Sequence, residues 1–186
     1  SSSFELVSNI DCSDTINWNS GNGFDPVGGF SGVLDGNGHI VEDLYISRNN
    51  GQDQALIGTL DGYTSATVVN IGLVNISIEA QSYVAGLVGR TNQGSIVRNV
   101  FVTGEVQGTD FDIGGIVGES SSGEEFNNTF SRVNVSTVES EVGGLTGYND
   151  IYDIANSYAT GTYSGSGYDD ALIGLNEGGA SDLYFN

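Results

Sequence analysis

Four carboxylates stand at matching places in this sequence. Counted back from Gly118 and Gly147, Asp110 aligns with Glu139 and Asp112 with Glu141. Several oxygen ligands gathered at one corner suit a hard cation such as Ca²⁺. Like charges placed directly opposite each other repel, so the four either splay into salt water or hold such an ion. If Ile113 and Val142 point inward, strand parity turns Asp112 and Glu141 outward. Calcium on Asp110, Asp112, Glu139 and Glu141 is the metal reading of this chain, and a solvated acidic corner is the plainer one.

The other candidates for chemistry are weaker. Asp35-Gly36-Asn37-Gly38-His39 lacks the later acidic ligands of an EF-hand loop and reads as turn chemistry. His39 is the only histidine and has no nucleophile spaced with it. Polysaccharide lyases also use parallel β-helices, but they need a basic residue beside their carboxylates. The four cations are Arg48, Arg90, Arg98 and Arg132, and the repeat phase sets none of them at the acidic corner. The chain is therefore read as no enzyme. Asn75-Ile76-Ser77, Asn127-Asn128-Thr129 and Asn134-Val135-Ser136 fit the N-glycosylation pattern, which makes Asn75, Asn127 and Asn134 candidate acceptors.

The elements that must position these residues repeat. Gly86-Leu87-Val88-Gly89 returns as Gly115-Ile116-Val117-Gly118 and as Gly144-Leu145-Thr146-Gly147, with looser copies at 55–58 and 171–174. The closing glycines at 58, 89, 118, 147 and 174 step by 31, 29, 29 and 27 residues, a period that marks a solenoid, a propeller or an array. A second ladder runs in phase: Asn70, Asn99, Asn128, Asn156 and Asp182, with Asp43 as its earlier member. Stacked asparagines can pass hydrogen bonds along an axis. Two residues further on, Tyr45, Phe101, Phe130, Tyr158 and Tyr184 form an aromatic column. Parity with the asparagines turns it inward as core, whereas an outward column would offer a platform for sugars. Leu56, Leu87, Ile116, Leu145 and Leu172, with Val84, Ile113 and Val142, are the expected core.

Composition narrows the class. With 29 Gly, one Pro and apolar residues of mostly β-branched or aromatic type, tight corners between strands are expected. Asp+Glu is 24 against Lys+Arg of 4, a formal net charge of −20. Such a surface repels nucleic acid and anionic membrane, and both are rejected as partners. It suits high salt or an extracellular setting. No run is long enough to span a membrane as a helix, and Cys12 is the only cysteine. Its expected role is buried packing. The opening Ser1-Ser2-Ser3 without Met suggests a processed or excised chain.

The Gly-Leu-Val-Gly copies, the stretch Asn156-Ser157-Tyr158-Ala159-Thr160-Gly161 and the lead-in Phe30-Ser31-Gly32-Val33-Leu34-Asp35-Gly36-Asn37-Gly38-His39 carry a resemblance. The chain resembles the GLUG-repeat family of bacterial and archaeal surface proteins over nearly its whole length. The resemblance implies an all-β fold, a right-handed parallel β-helix of about six coils with three short strands per coil. It also implies a secreted or surface-attached protein, often an adhesin, with no catalytic residue to transfer. Ala55 and Ala171 replace the first glycine of the motif at the ends.

One domain over 1–186 is expected, with an irregular coil and loop over 4–40 and repeats over 41–186. Residues 4–11 read as one strand and 13–30 as a long loop. Each end of a coil stack exposes unpaired backbone groups unless something covers them. Phe4, Leu6 and Ile10 at one end, and Leu183, Tyr184 and Phe185 at the other, are therefore the expected edges for self-assembly. The expected partners are a second copy head to tail or flanking repeats of the same polypeptide, with surface glycans on a lateral face as the alternative. No cofactor is required beyond the candidate Ca²⁺.

Overall fold

Apolar and polar residues alternate with a period of two through most of the chain, and glycine or asparagine interrupts the alternation. That pattern makes strands with one buried face, joined by sharp corners. The computed structural model describes residues 2–62, 66–121, 125–139, 141–150 and 153–177. Across them the chain winds into six coils.

Coil 1 holds β1 (Ser3–Glu5), β2 (Ile10–Asp11) and β3 (Val27–Phe30); coil 2 holds β4 (Val33–Asp35), β5 (Ile40–Glu42), β6 (Tyr45–Gln54) and β7 (Ile57–Leu60). Coil 3 is β8 (Thr67–Val84) and β9 (Val88–Thr91); coil 4 is β10 (Ile96–Gly108), β11 (Ile113–Gly114) and β12 (Val117–Ser120). Coil 5 is β13 (Glu125–Ser136), β14 (Val142–Gly143) and β15 (Thr146–Asn149). Coil 6 is β16 (Asp153–Ala155), β17 (Tyr158–Ala159), β18 (Tyr163–Ser164), β19 (Asp169–Asp170) and β20 (Ile173–Asn176). Every strand pairing between successive coils is parallel, beside one isolated antiparallel bridge between Gly23 and Ile46, and one sheet runs β20-β15-β12-β9-β7-β3 straight up the stack.

The register confirms the repeat and corrects parts of its reading. Val68, Val97, Phe126 and Ile154, two residues before the ladder asparagines, stack on one another, with Leu34 below them. Val41 is instead opposite Leu73, and Tyr45 is opposite Ser77. Asp43 follows Val41 in that register, so it leaves the asparagine ladder, and Tyr45 leaves the aromatic column. A complete coil therefore precedes position 41, because β4 to β7 pair with coil 3 throughout. Residues 4–11 form two short strands rather than one. The 13–30 stretch contains 3-10 turns over Ser13–Gly21, interrupted at Trp18–Ser20.

The interior is a single apolar column. Leu87 and Ile116 are 0% exposed and Leu145 1%, with Val84, Ile113 and Val142 at 0%. Leu172 is buried and Leu56 packs partly buried against the same core. Cys12 is half-buried beside it. The closing glycine Gly118 runs against the backbone of the neighbouring corner. A Cβ on Gly118 would lie 2.5 Å from the Gly89 carbonyl oxygen and 2.7 Å from the Tyr83 carbonyl carbon, so no larger residue fits there.

Candidate functional site

Three of the corners are built on left-handed backbone. At the first, Asn70, Asn99, Asn128 and Asn156 have φ of 56°, 55°, 54° and 51°. At another, Asp53, Tyr83, Asp112 and Glu141 have φ of 57°, 55°, 61° and 68°. Glycine or asparagine adopts this region most readily, and only the first corner uses asparagine throughout. There, Asn128 Nδ2 donates to Asn99 Oδ1 at 2.8 Å and Asn99 Nδ2 to Asn70 Oδ1 at 2.8 Å. Asn70 Nδ2 donates to Asp35 Oδ1 at 3.0 Å. Asn156 steps aside and donates to Asn127 Oδ1 at 3.1 Å. Asp43 sits at a different left-handed corner, where it accepts from Asn75 Nδ2 at 2.6 Å.

The acidic corner is arranged otherwise than its alignment implies. Asp112 is 7% exposed and does not point outward, because its positive φ breaks the strand parity that Ile113 sets. Burial first, then the Glu141 and Glu119 carboxylates, push the Asp112 carboxyl up to about 8, against the opposing pull of Arg90. A protonated Asp112 can donate to the Glu141 carboxylate. Asp112 Oδ1 is buried without a hydrogen-bond partner. Asp110 is half-buried and Glu139 exposed. The structure pairs Asp112 with Glu141 and Glu119, and it does not gather the aligned four. Among the described residues, no group of three or more acidic, His or Cys side chains is placed to hold a metal ion.

Arg90 is at this corner, contrary to the reading from repeat phase. It is bidentate to Asp53, with Nη2 at 2.8 and 2.9 Å from the two carboxylate oxygens and Nε at 3.0 Å from Oδ1. Its guanidinium lies 4.2 Å from the Tyr83 ring centroid and 3.8 Å from Glu119 Oε2. Burial alone would lower the Arg90 pKa, but the Asp53 hydrogen bonds and charge raise it. Burial raises Glu119, with Asp53 adding to that and Arg90 opposing. Arg90, Glu119 and Tyr148 each follow a closing glycine and stack in register. That regular placement is the signal in the sequence that could have found them. Tyr148 donates to Glu177 Oε2 at 2.9 Å, and this bond leads the shift of its phenol to about 12. The result is a column of ion-pair and hydrogen-bond contacts running from Asp53 to Glu177.

The aromatic column faces outward, not into the core. Val100 and Val102 on either side of Phe101 are buried, while Phe101 and Phe130 are half-buried and Tyr158 is 40% exposed. The left-handed Asn99 again shifts the parity. Phe101 stacks on Phe130 at 5.1 Å and 8°, and Phe130 on Tyr158 at 5.2 Å and 4°. The Phe101 ring also covers Gly72, where a Cβ would strike it. Ring faces on which a sugar could stack are thus spent on one another, and the column serves the stack. Tyr184 lies outside the described residues.

The candidate glycosylation positions differ in availability. Asn75 is exposed, but its amide nitrogen is bonded to Asp43. Asn127 accepts from Asn156. Asn134 is exposed on β13 and accepts from the Thr162 amide and hydroxyl at 3.2 and 3.0 Å.

At the N-terminal end, β1, β2 and β3 each pair with a single coil-2 strand. Phe4 is 53% exposed, Ile10 40% and Val27 44%. Phe4, Leu6, Ile10, Phe30, Leu34 and Ile71 help line an apolar chamber of about 280 Å³ there. The segment 13–24 covers part of the end: Thr15 Oγ1 accepts from the Tyr45 amide, and Asn22 accepts from the Ser47 amide at 3.0 Å. Leu183, Tyr184, Phe185 and Asp182 lie outside the described residues.

Comparison with known proteins agrees with the repeat. The family described as the GLUG motif matches residues 139–163. Halomucin of Haloquadratum walsbyi (strain DSM 16790 / HBSQ001) is 38% identical over 114 residues, 58% of this chain. The chain spans 1% of that protein's length. A crystal structure of a Bacteroides ovatus protein described as a candidate immunoglobulin A1 protease aligns with a TM-score of 0.53 and 17% identity. The alignment covers 85% of this chain and 60% of the other, a likeness of fold alone. The chain is a parallel β-solenoid of six coils that carries a GLUG motif over residues 139–163 and is similar in sequence to halomucin over 58% of its length.

Proposed function

We propose that this chain is a structural segment of an extracellular or cell-surface fibre, joined end to end to further coils of the same kind. The observation that carries the reading is the N-terminal end. Three parallel strands there present unpaired outer edges around an apolar chamber, and parallel strand edges are templates for another strand of the same geometry. A next coil would supply both the backbone partners and the side chains that fill the chamber. Support for a long assembly comes from halomucin, of which a length like this one is a hundredth part. The net charge of −20 keeps lateral faces apart by repulsion, so contact is directed to the ends.

Light scattering and negative-stain imaging of the purified chain test this. The expected result is concentration-dependent association into rods one solenoid wide, suppressed in a Phe4→Asp, Ile10→Asp double variant. Monomers at every concentration, or clusters that persist in the double variant, would overturn the reading.

A further inference from the structure

On one lateral face, two columns of outward side chains run up coils 3 to 6. Ser77, Glu105, Asn134 and Thr162 form one, and Glu79, Gln107, Ser136 and Ser164 the other. Between them Ile78, Val106 and Val135 point into the core, and the face sinks into a depression of about 260 Å³. Four coils at the strand spacing give it a length of about 14 Å between the first and last rung.

These columns differ from every ladder described above. At the asparagine corner each side chain is bonded to the next coil. Here all but Asn134 and Thr162 make no side-chain hydrogen bond to the described residues. Hydroxyl, amide and carboxylate groups are thus held at regular spacing in a concave face, and the stack does not use them.

We infer that this trough binds a neutral oligosaccharide strand lying along the solenoid axis. Sugar hydroxyls both donate and accept. They match carboxylates that only accept at Glu79 and Glu105, and amides and hydroxyls that do both at Gln107, Asn134, Ser136 and Ser164. None of the four arginines lines the trough, and its two carboxylates repel an anionic chain. The lining has no exposed apolar side chain on which a lipid or an amphipathic helix could seat. The site is independent of the end-to-end reading and is read on a different face.

Isothermal titration of the chain with neutral linear hexose oligosaccharides, and with polygalacturonate as the anionic counterpart, tests the inference. The expected result is saturable binding of at least one neutral strand, weakened tenfold or more by Glu105→Ala with Gln107→Ala. Both positions are exposed, and circular dichroism checks that the double variant is folded. Gln93→Ala, on another corner, should leave binding unchanged. Failure of every neutral oligosaccharide to bind at millimolar concentration, equal binding of polygalacturonate, or binding that survives the double variant would each overturn it. Because monomers and rods both expose this face, loss of end-to-end stacking would leave the titration unaffected.

Discussion

At one corner of the coil, Asn70, Asn99 and Asn128 hold φ near 55°; at another, Tyr83, Asp112 and Glu141 hold φ of 55° to 68°. The backbone is nearly the same, and the coils stack in register through both. The chemistry is opposite. An amide carries both a donor and an acceptor, so Asn99 and Asn70 each receive from the coil on one side and give to the coil on the other, and Asn128 gives to Asn99. A carboxylate can only accept. Two stacked carboxylates therefore need a proton between them or a cation beside them, and the acidic corner has both: a proton on Asp112 and the guanidinium of Arg90 nearby. A repeated backbone position thus fixes conformation without fixing electrostatics, and a titratable side chain placed there makes the stack sensitive to pH.

The strongest way to break the comparison is to remove the room the acidic corner needs. A Cβ at Gly118 would meet the Gly89 carbonyl oxygen and the corner backbone at 2.5 to 2.8 Å. Gly118→Ala should lose on the order of 3 kcal/mol, at the upper end for an overpacked site, in urea denaturation. An effect under half of that would show that the wall can yield.

Asn99→Ala should cost about 2 kcal/mol, through a left-handed alanine and two lost inter-coil bonds of modest net worth. Asn99→Gly keeps the backbone and loses only the bonds, so it should cost less. Equal losses would mean that the amide ladder, rather than the conformation, dominates.

Asp112→Asn separates the corners by pH. Asp112 has its carboxyl raised from the ordinary 3.8 to about 8 in the fold. The folded state therefore holds the proton more tightly than the unfolded state. Its contribution is fully present below about pH 4 and is lost as pH rises through about 8. Asparagine does not titrate, so the variant should gain on the parent as pH rises from about 4 and stop gaining above about 8, which thermal melts across that range read as a change in the Tm difference. A constant difference from pH 5 to 9 would contradict a buried proton.

How much of this was legible follows from the same two corners. The period, the core ladder from Leu87 to Leu145 and the asparagine column came from spacing alone, because coils of equal length keep like residues in register. What spacing hides is the corner itself. A left-handed residue shifts the in-out alternation, so Asp112 was assigned outward and the Phe101–Phe130 column inward, each the reverse of the structure. Register was also lost where coil lengths differ. Asp43 and Tyr45 belong to rungs five residues away from those that their spacing suggests, and coil 2 itself takes five residues from Asp35 to Ile40 where coil 3 takes three from Val69 to Gly72. Arg90 was missed for a different reason. It reaches Asp53 across one coil boundary and lies over Tyr83 of its own coil, and such contacts follow from stacked geometry that no single repeat displays.

Glu141→Gln is the smallest change and the most discriminating. It leaves Asp112 as deeply buried and keeps Glu119 in place, but it removes the neighbouring charge. The Asp112 carboxyl should then titrate at lower pH than in the parent while staying above the ordinary carboxylate range, because burial is the leading cause of its shift. Carbon-13 NMR of the carboxyl reads this directly. A midpoint that does not move would assign the trapped proton to burial and Glu119 rather than to Glu141. The acidic corner would then be a buried acid that happens to adjoin a carboxylate, and its contrast with the asparagine corner would be one of burial rather than of charge.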